Sequence, residues 1–329
     1  MAELIVSRVS KKFGRSPALV DASLRVRDGS IFGLVGPNGA GKTTLLTTIA
    51  GLQRPDAGEI RIGGREPKDA RVGFMPDTPT HYAWLTVAEM LDLAARVSEV
   101  ADVEEAVTSA LSTFGLERYA GVQQRALSRG LRQRAALAAT LMGSPELVVL
   151  DEPCSALDPI GRLDVLKAIA ALRGSATVIF STHMLADVER ICDEVAIIYE
   201  GRVVVQDTVD RLRARAASFG FTIVMDRPVE GLAASIAAQP WCVRVSEPAP
   251  GRIEIEVSDV WAAQHGILES IKSAPAYLVA LERTGSDLER VLMDFLAQSV
   301  LGDGRFASWP ASGPDGAISG QGPGSDIEP

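Results

Sequence analysis

A glycine-rich segment carries the clearest chemical signature in the sequence. Residues 36–43 read Gly-Pro-Asn-Gly-Ala-Gly-Lys-Thr and fit the P-loop pattern G-x-x-x-x-G-K-[ST] in full. Glycines let the backbone turn its N–H groups toward phosphates, while the lysine and the hydroxyl supply a cation and an Mg²⁺ ligand. We therefore expect ATP binding, with Lys42 at the β- and γ-phosphates and Thr43 on Mg²⁺. The predicted nucleotide-binding residues are Gly36, Pro37, Asn38, Gly39, Ala40, Gly41, Lys42, Thr43 and Thr44.

A second candidate site is an acidic pair at the end of an apolar run. The segment Leu-Val-Val-Leu at residues 147–150 is followed directly by Asp151 and Glu152. Ends of parallel strands present side chains to a ligand crevice, so we expect Asp151 to hold Mg²⁺ through water and Glu152 to polarise the attacking water. A solvated acidic turn is the alternative for the pair alone, but the P-loop in the same chain favours the catalytic interpretation.

The segments around these motifs predict an α/β fold with a P-loop core. An apolar strand at residues 31–35 precedes the glycine segment and a helical pattern follows it, which is the context that a P-loop requires. Apolar strands and helices alternate over residues 146–199, which favours a mainly parallel sheet covered by helices. Short β-like stretches at residues 4–9 and 23–26 predict an N-terminal antiparallel β region.

Two further regions interrupt or extend this pattern. Residues from about 84 to 143 have a helical pattern, with a capping box at Thr86-Val-Ala-Glu89. We therefore predict a helical insertion there, within an ATP-binding domain of residues 1–219. Residues 220–300 predict a small ferredoxin-like α+β domain, ordered strand, helix, strand, strand, helix, strand, helix. Residues 301–329 are rich in glycine, proline and serine, so we expect a disordered tail.

Composition and charge argue against several classes of protein. The net charge is −9 and there is no basic block, which argues against nucleic acid as the main partner. No apolar run approaches the ~20 residues of a membrane span, and the first residues do not form a signal peptide. The three cysteines are widely spaced and match neither a disulfide framework nor a zinc pattern, so we expect a reducing cytoplasm. Cys154 is interpreted as a small packing residue.

The motifs, taken together and in order, resemble the nucleotide-binding subunits of ABC transporters over about residues 3–218. After the P-loop comes Leu-Ser-Arg-Gly-Leu-Arg-Gln-Arg at residues 127–134, which looks like the signature sequence of that family. The strand ending in Glu152 follows. Ser-Ala-Leu-Asp at residues 155–158 looks like the D-loop, and Ser-Thr-His at residues 181–183 like the switch histidine.

The resemblance implies roles for four residues. His183 is expected at the γ-phosphate and attacking water, and Asp158 in the D-loop. Phe13 lies where the family stacks an aromatic ring on adenine, with a core phenylalanine as the alternative. Asp77 is at the position that looks like the Q-loop, where glutamine is usual, and offers Mg²⁺ an oxygen on a shorter side chain.

The signature segment also has a physical interpretation. Ser128 can cap the following helix and Gly130 can expose backbone N–H groups, which together make an anion site at a helix N-terminus. A plain capped helix is the alternative. The resemblance implies that this site meets the ATP held by the P-loop of a second ATP-binding subunit, in a head-to-tail homodimer.

The function implied by the resemblance is an ATP-hydrolysing subunit of an ABC-2-like exporter. It would work on the cytoplasmic face of the cell membrane with a separate integral membrane permease, which docks near residues 78–85 and handles a small-molecule or polymer cargo. The alternatives are a non-transport ABC ATPase, an ATP-dependent regulator of a soluble partner and a P-loop kinase. One P-loop, no heptad run and no cysteine pairs disfavour the first, and Glu152 with His183 disfavours the second.

Overall fold

The strands of the described chain form three sheets. The computed structural model describes residues 1–79, 82–155, 157–215, 219–272 and 274–284. The strands are β1 (Leu4–Phe13), β2 (Ser16–Val26), β3 (Ile31–Val35), β4 (Ala57–Ile62), β5 (Val72–Met75), β6 (Leu147–Leu150), β7 (Thr177–Thr182), β8 (Glu194–Tyr199), β9 (Arg202–Thr208), β10 (Phe219–Met225), β11 (Cys242–Ala249), β12 (Arg252–Val257) and β13 (Leu278–Thr284). The helices are α1 (Lys42–Ile49), α2 (Val87–Val97), α3 (Val103–Thr113), α4 (Arg129–Thr140), α5 (Pro159–Ala170), α6 (Leu185–Ile191), α7 (Val209–Arg215), α8 (Leu232–Ala237) and α9 (Val260–Lys272).

The central sheet positions the predicted motifs along one edge. Its strand order is β5-β6-β7-β3-β8-β9, with β9 antiparallel to its neighbour and the other pairs parallel. Strands β3, β6 and β7 are buried along their whole length, which explains the apolar runs of β3 and β6 and of residues 178–180 in β7. The predicted α/β fold with a mainly parallel sheet is therefore confirmed, and the carboxyl ends of β3, β6 and β7 meet at the same edge.

A smaller sheet of order β2-β1-β4 covers one face of this central sheet. Its pairs are antiparallel, as predicted for the N-terminal region. Leu4, Leu19 and Ile62 from the small sheet share a core with Phe32 of β3 and Leu46 of α1. The long strand β2 thereby passes close to the P-loop.

The helical insertion lies between β5 and β6 and covers the opposite face. The predicted capping box is present, because Thr86 Oγ1 accepts from the Glu89 N–H (3.2 Å) and the Glu89 carboxylate accepts from the Thr86 N–H (2.8 Å). Leu91 of α2 and Leu137 of α4 are buried in a core that includes Phe180 of β7. The insertion is thus fixed directly against the strands that carry the site.

The third sheet has the strand order β11-β12-β10-β13, and all of its pairs are antiparallel. Together with α8 and α9 this is the predicted ferredoxin-like arrangement. Its separate core contains Ile223, Trp241, Ile255 and Ile267. The last predicted helix and the predicted tail lie outside the described residues, and the domain boundaries stay predictions. No helix in the described ranges combines the length and apolar character that crossing a membrane requires.

Candidate functional site

The P-loop joins the end of β3 to the start of α1. A Cβ atom at Gly36 would lie 2.3 Å from the Ile198 carbonyl oxygen, and one at Gly41 would lie 2.6 Å from the Ala18 carbonyl oxygen. Gly41 also has a φ of 104°. Only glycine fits either position without displacing backbone, so the loop shape follows from these residue types. The loop ends at the positive N-terminus of α1, where an anion is stabilised.

Lys42 is buried at the centre of this loop. Its Nζ atom donates to the carbonyl oxygens of Gly36 (2.8 Å) and Pro37 (3.3 Å). The same atom lies 3.3 Å from Glu152 Oε1. The ammonium group therefore links the P-loop to the acidic pair, while Thr43 is exposed in the first turn of α1.

The acidic pair follows β6 directly. Asp151 is 2% exposed, and its Oδ1 atom accepts a 2.6 Å hydrogen bond from the Ser181 hydroxyl. The Asp151 N–H donates to the Met75 carbonyl oxygen (2.8 Å). Glu152 has a φ of 46°, and its N–H donates to Ser181 Oγ (2.8 Å). Both acidic residues are thus anchored to neighbouring strands.

The Glu152 carboxylate lies between a lysine and a histidine. Its Oε2 atom is 2.9 Å from Nδ1 of His183, which follows β7 and is 54% exposed on its side chain. A carboxylate only accepts, so the Nδ1 atom carries the proton in this bond. We call Lys42, Asp151, Glu152 and His183 the catalytic cluster, after the reaction that the sequence predicts for them. The structure brings these four predicted residues together from three strand ends.

The signature and D-loop residues lie apart from this cluster. Ser128 caps α4 by accepting from the Leu131 N–H (3.3 Å), and Asp158 caps α5 by accepting from the Gly161 N–H (2.7 Å). A Cβ atom at Gly130 would lie 3.5 Å from Gly161 Cα, so the two helix starts are adjacent. In the described part of the chain, no hydrogen bond or ion pair links Ser128 or Asp158 to the catalytic cluster.

Two other predicted residues are on the surface. Phe13 is 52% exposed at the end of β1, so the alternative of a core phenylalanine is wrong. Asp77 is exposed just after β5 and lines a cavity of about 540 Å³ between β5 and the helical insertion. Neither residue contacts the catalytic cluster through a hydrogen bond in the described ranges.

The donor set suits a magnesium ion that is held largely by a nucleotide. No group of three or more His, Cys, Asp or Glu side chains gathers as a metal site within the described residues. Mg²⁺ usually keeps several waters and takes one or two protein oxygens together with substrate phosphates. The Thr43 hydroxyl and the Asp151 carboxylate are hard oxygen donors of this kind, so they fit the ion.

Two interactions around the site were not predicted. One is the Ser181 hydroxyl, which the motif included but for which no role was inferred. The other is a partly buried ion pair in which Arg162 of α5 donates to the buried Asp187 of α6 (Nε to Oδ1, 2.7 Å). Thr182 Oγ1 also donates to Asp187 Oδ2 (3.4 Å) and accepts from the Met184 N–H (3.0 Å). These bonds tie the backbone on both sides of His183 to α5.

Cys154 is buried beside the cluster. Burial raises the pKa of its thiol to about 12, and the neighbouring Asp187 carboxylate acts in the same direction. The thiolate is the reactive form of cysteine, so the raised pKa supports the prediction of a packing residue.

Fold and site together define a P-loop nucleoside triphosphatase. YxlF, an uncharacterized ABC transporter ATP-binding protein of Bacillus subtilis, is 32% identical over 272 residues, which cover 82% of this chain and 91% of that protein. The chain belongs to the family of ABC transporter ATP-binding proteins, and residues 19–155 match the family model described as ABC transporter. It is therefore an ATPase and the ATP-binding subunit of such a transporter. This membership favours the predicted function over the alternative of a non-transport ATPase.

Other relatives match over longer or shorter parts of the chain. The daunorubicin resistance ATP-binding protein DrrA3 of Streptomyces coeruleorubidus is 29% identical over 311 residues, or 92% of this chain and 96% of that protein. The bacitracin transport ATP-binding protein BcrA of Bacillus licheniformis is 33% identical over 215 residues, which cover 63% of this chain and 70% of that protein. A solved ATP-binding subunit of an ABC transporter has 32% identity and a TM-score of 0.58, covering 64% of this chain and 92% of that one.

Proposed function

We propose that this chain hydrolyses ATP at the catalytic cluster and thereby drives export through a separate integral membrane permease. The observation that carries the hydrolytic part is the position of the Glu152 carboxylate, 3.3 Å from Lys42 Nζ and 2.9 Å from His183 Nδ1. Positioning and charge stabilisation account for most catalysis of phosphoryl transfer, and this arrangement supplies both.

The proposed reaction is the attack of water on the γ-phosphorus of ATP. Lys42 and the P-loop N–H groups stabilise negative charge on the transferring phosphoryl group. Glu152 accepts a hydrogen bond from the attacking water and takes up its proton as the bond between γ-phosphorus and the ADP oxygen breaks. His183 donates its Nδ1–H to Glu152 and so orients it. When the ring is an imidazolium, its Nε2–H also donates to the γ-phosphate. Thr43, and Asp151 through water, would hold Mg²⁺, which would supply neutralising charge.

The proposal includes a second, identical subunit. Ser128 and Gly130 lie at the N-terminus of the twelve-residue helix α4. Among the described residues, no hydrogen bond or ion pair joins them to the P-loop of their own chain. In a head-to-tail homodimer they bind the ATP held by the partner, with Asp158 of the adjacent α5 start between the two sites. Phe13, exposed at the end of β1, stacks on the adenine ring.

The permease docks at the cavity behind Asp77. Exposed or half-buried side chains line this cavity, including Tyr82 just before the insertion and Met90, Leu93 and Val97 within it. Two arginines of the signature segment, Arg129 and Arg132, line its other side. Thr78, Pro79 and Tyr82 of the predicted docking segment, residues 78–85, line the cavity, while residues 80 and 81 are outside the described ranges. Docking there holds the chain on the cytoplasmic face of the membrane.

Relatives support the direction of transport and the class of cargo. Relatives are named for daunorubicin resistance, Nod factor export and bacitracin transport. The match to the daunorubicin resistance protein spans 92% of this chain, so it extends into the third sheet. A small molecule or polymer, recognised by the permease, fits these names.

The test uses inverted membrane vesicles from cells that produce the chain together with its permease. ATP added outside is expected to stimulate phosphate release and to drive cargo into the vesicles, because the cytoplasmic face is outward. Vesicles carrying Glu152→Gln provide the matched control. Phosphate release without any dependence on the permease, or cargo movement out of the vesicles, would contradict the proposal.

A further inference from the structure

Ser181 lies at the junction between two strands of the catalytic cluster. It is the fifth residue of β7 and has no exposed surface. The register pairs Leu150 of β6 with Phe180 of β7, so the acidic pair leaves β6 directly beside Ser181.

One hydroxyl group serves both acidic residues. Ser181 Oγ donates its proton to Asp151 Oδ1 (2.6 Å) and accepts a hydrogen bond from the Glu152 N–H (2.8 Å). A serine hydroxyl has one donor and two lone pairs, so both bonds exist at the same time. Ser181 therefore fixes the Asp151 side chain and the Glu152 backbone through a single atom.

The Glu152 backbone needs such support. Its φ of 46° is in the left-handed region, which a non-glycine residue adopts only where the surrounding structure holds it. The Asp151 N–H is already held by the Met75 carbonyl oxygen (2.8 Å). The Ser181 bond holds the next peptide unit, whose orientation sets the direction of the Glu152 side chain toward Lys42 and His183.

We propose that Ser181 is a positioning residue for ATP hydrolysis, which aims the Glu152 carboxylate by bridging Asp151 and the Glu152 amide. The catalytic consequence rests on the proposed role of Glu152 toward the attacking water. The bridge itself does not depend on that role. Ser181 is not expected to touch the nucleotide, so its loss changes turnover while ATP binding is kept.

The experiment compares Ser181→Thr with Ser181→Val. Threonine and valine have the same shape and differ only in the hydroxyl group. Both are larger than serine, so the effect of the added volume cancels when the two variants are compared with each other. We expect kcat of the valine variant to be about tenfold lower than that of the threonine variant, because small misplacements of a catalytic group are costly. The two variants are expected to have the same Kd for ATP within about twofold, measured by direct titration with Mg²⁺ present. Ser181→Ala repeats the comparison with wild type if neither larger side chain folds.

A matched control lies at the other end of the same strand. Thr177 of β7 is also fully buried, and its hydroxyl also bridges a backbone N–H, that of Gly29 (2.9 Å), and a carboxylate, that of Asp28 (3.4 Å). Thr177→Val removes this hydroxyl far from the catalytic cluster. We expect it to lower the unfolding temperature and leave kcat unchanged.

A second readout is independent of turnover. Amide hydrogen exchange at Glu152 is expected to be at least about tenfold faster in Ser181→Ala than in wild type, while the Asp151 amide stays protected by Met75. Unchanged exchange at Glu152, or equal kcat in Ser181→Thr and Ser181→Val, overturns the proposal. A wild-type chain that fails to hydrolyse ATP contradicts the proposed function instead, and the exchange rates still decide whether Ser181 holds the loop.

Discussion

Glu152 and His183 are 31 residues apart in the chain, yet Glu152 Oε2 lies 2.9 Å from His183 Nδ1. The contact joins the end of β6 to the end of β7. Because Oε1 of the same carboxylate is 3.3 Å from Lys42 Nζ, three strand ends meet at one side chain. The geometry makes Glu152 the residue whose alteration should be most informative.

Replacing Glu152 with glutamine should separate ATP binding from hydrolysis. The amide keeps the size of the side chain but cannot take up a proton, so we expect turnover to fall by at least about 100-fold. ATP affinity should be kept, and the bound ATP should hold two chains together. Phosphate release and size-exclusion chromatography with ATP measure the two effects. The control Glu99→Gln alters another glutamate of positive φ that lies outside the cluster. Turnover within a few-fold of wild type would rule out the assigned role.

A glutamate at Gly130 should block the dimer and leave the single chain intact. A Cβ atom there meets Gly161 Cα at 3.5 Å, an ordinary contact, and an acidic residue suits the first turn of a helix. In the dimer, however, its charge would face the ATP of the partner. We expect Gly130→Glu, combined with Glu152→Gln, to remain monomeric with ATP while binding ATP within about twofold of its parent. Gly121→Glu, at a glycine with open space around it, is the control. An ATP-dependent dimer of the Gly130 variant would contradict the proposed interface.

Removing the ring of Phe13 should weaken ATP binding without unfolding the chain. The side chain is half exposed, so its loss leaves no cavity, and we expect unfolding free energy to change by less than about 0.5 kcal/mol. Stacking on a base contributes enough that Phe13→Ala should raise the Kd for ATP by about tenfold. Phe13→Tyr keeps the ring and should bind normally. Equal affinity for the alanine and tyrosine variants in a direct titration would exclude stacking.

The partly buried Arg162–Asp187 pair should be sensitive to the loss of one partner. Asp187 is 4% exposed on its side chain, so Arg162→Met leaves a desolvated carboxylate and should cost about 3 kcal/mol of unfolding free energy. The double variant Arg162→Met/Asp187→Leu removes both charges and should recover most of that loss. Urea unfolding measures both. Arg96→Met, which breaks an exposed pair with Asp92, should have little effect. An equal loss in the single and double variants would show that the pair is not coupled.

Much of the fold followed from local patterns. The P-loop, the capping box at Thr86 and the buried strand before Asp151 each have a signature within a few residues, and the structure contains all three. Strands β5 and β9 were not predicted. Strand β5 has only four residues, and β9 consists of a run of valines followed by polar residues. Neither strand therefore shows a clear alternation of apolar and polar residues.

The missed interactions have a common physical cause. Ser181 meets Asp151 and Arg162 meets Asp187 because of the register between strands and the packing of α5 on α6, and these are properties of the whole sheet. A serine in an apolar strand has no local signal that distinguishes a bridging hydroxyl from any other buried hydroxyl. The sequence also does not determine whether Phe13 is exposed, because a single aromatic residue near a strand end is compatible with both the surface and the core.

The register between β6 and β7 limits which deletions and substitutions this chain can accept. Side chains alternate between the two faces of a strand, so deleting one residue between Thr177 and Ser181 would turn the Ser181 hydroxyl away from Asp151. Exchanges among valine, isoleucine and phenylalanine in β7 leave that spacing intact. The structure therefore constrains the length of this strand more tightly than the identity of its apolar residues, because that length sets where the Glu152 carboxylate lies.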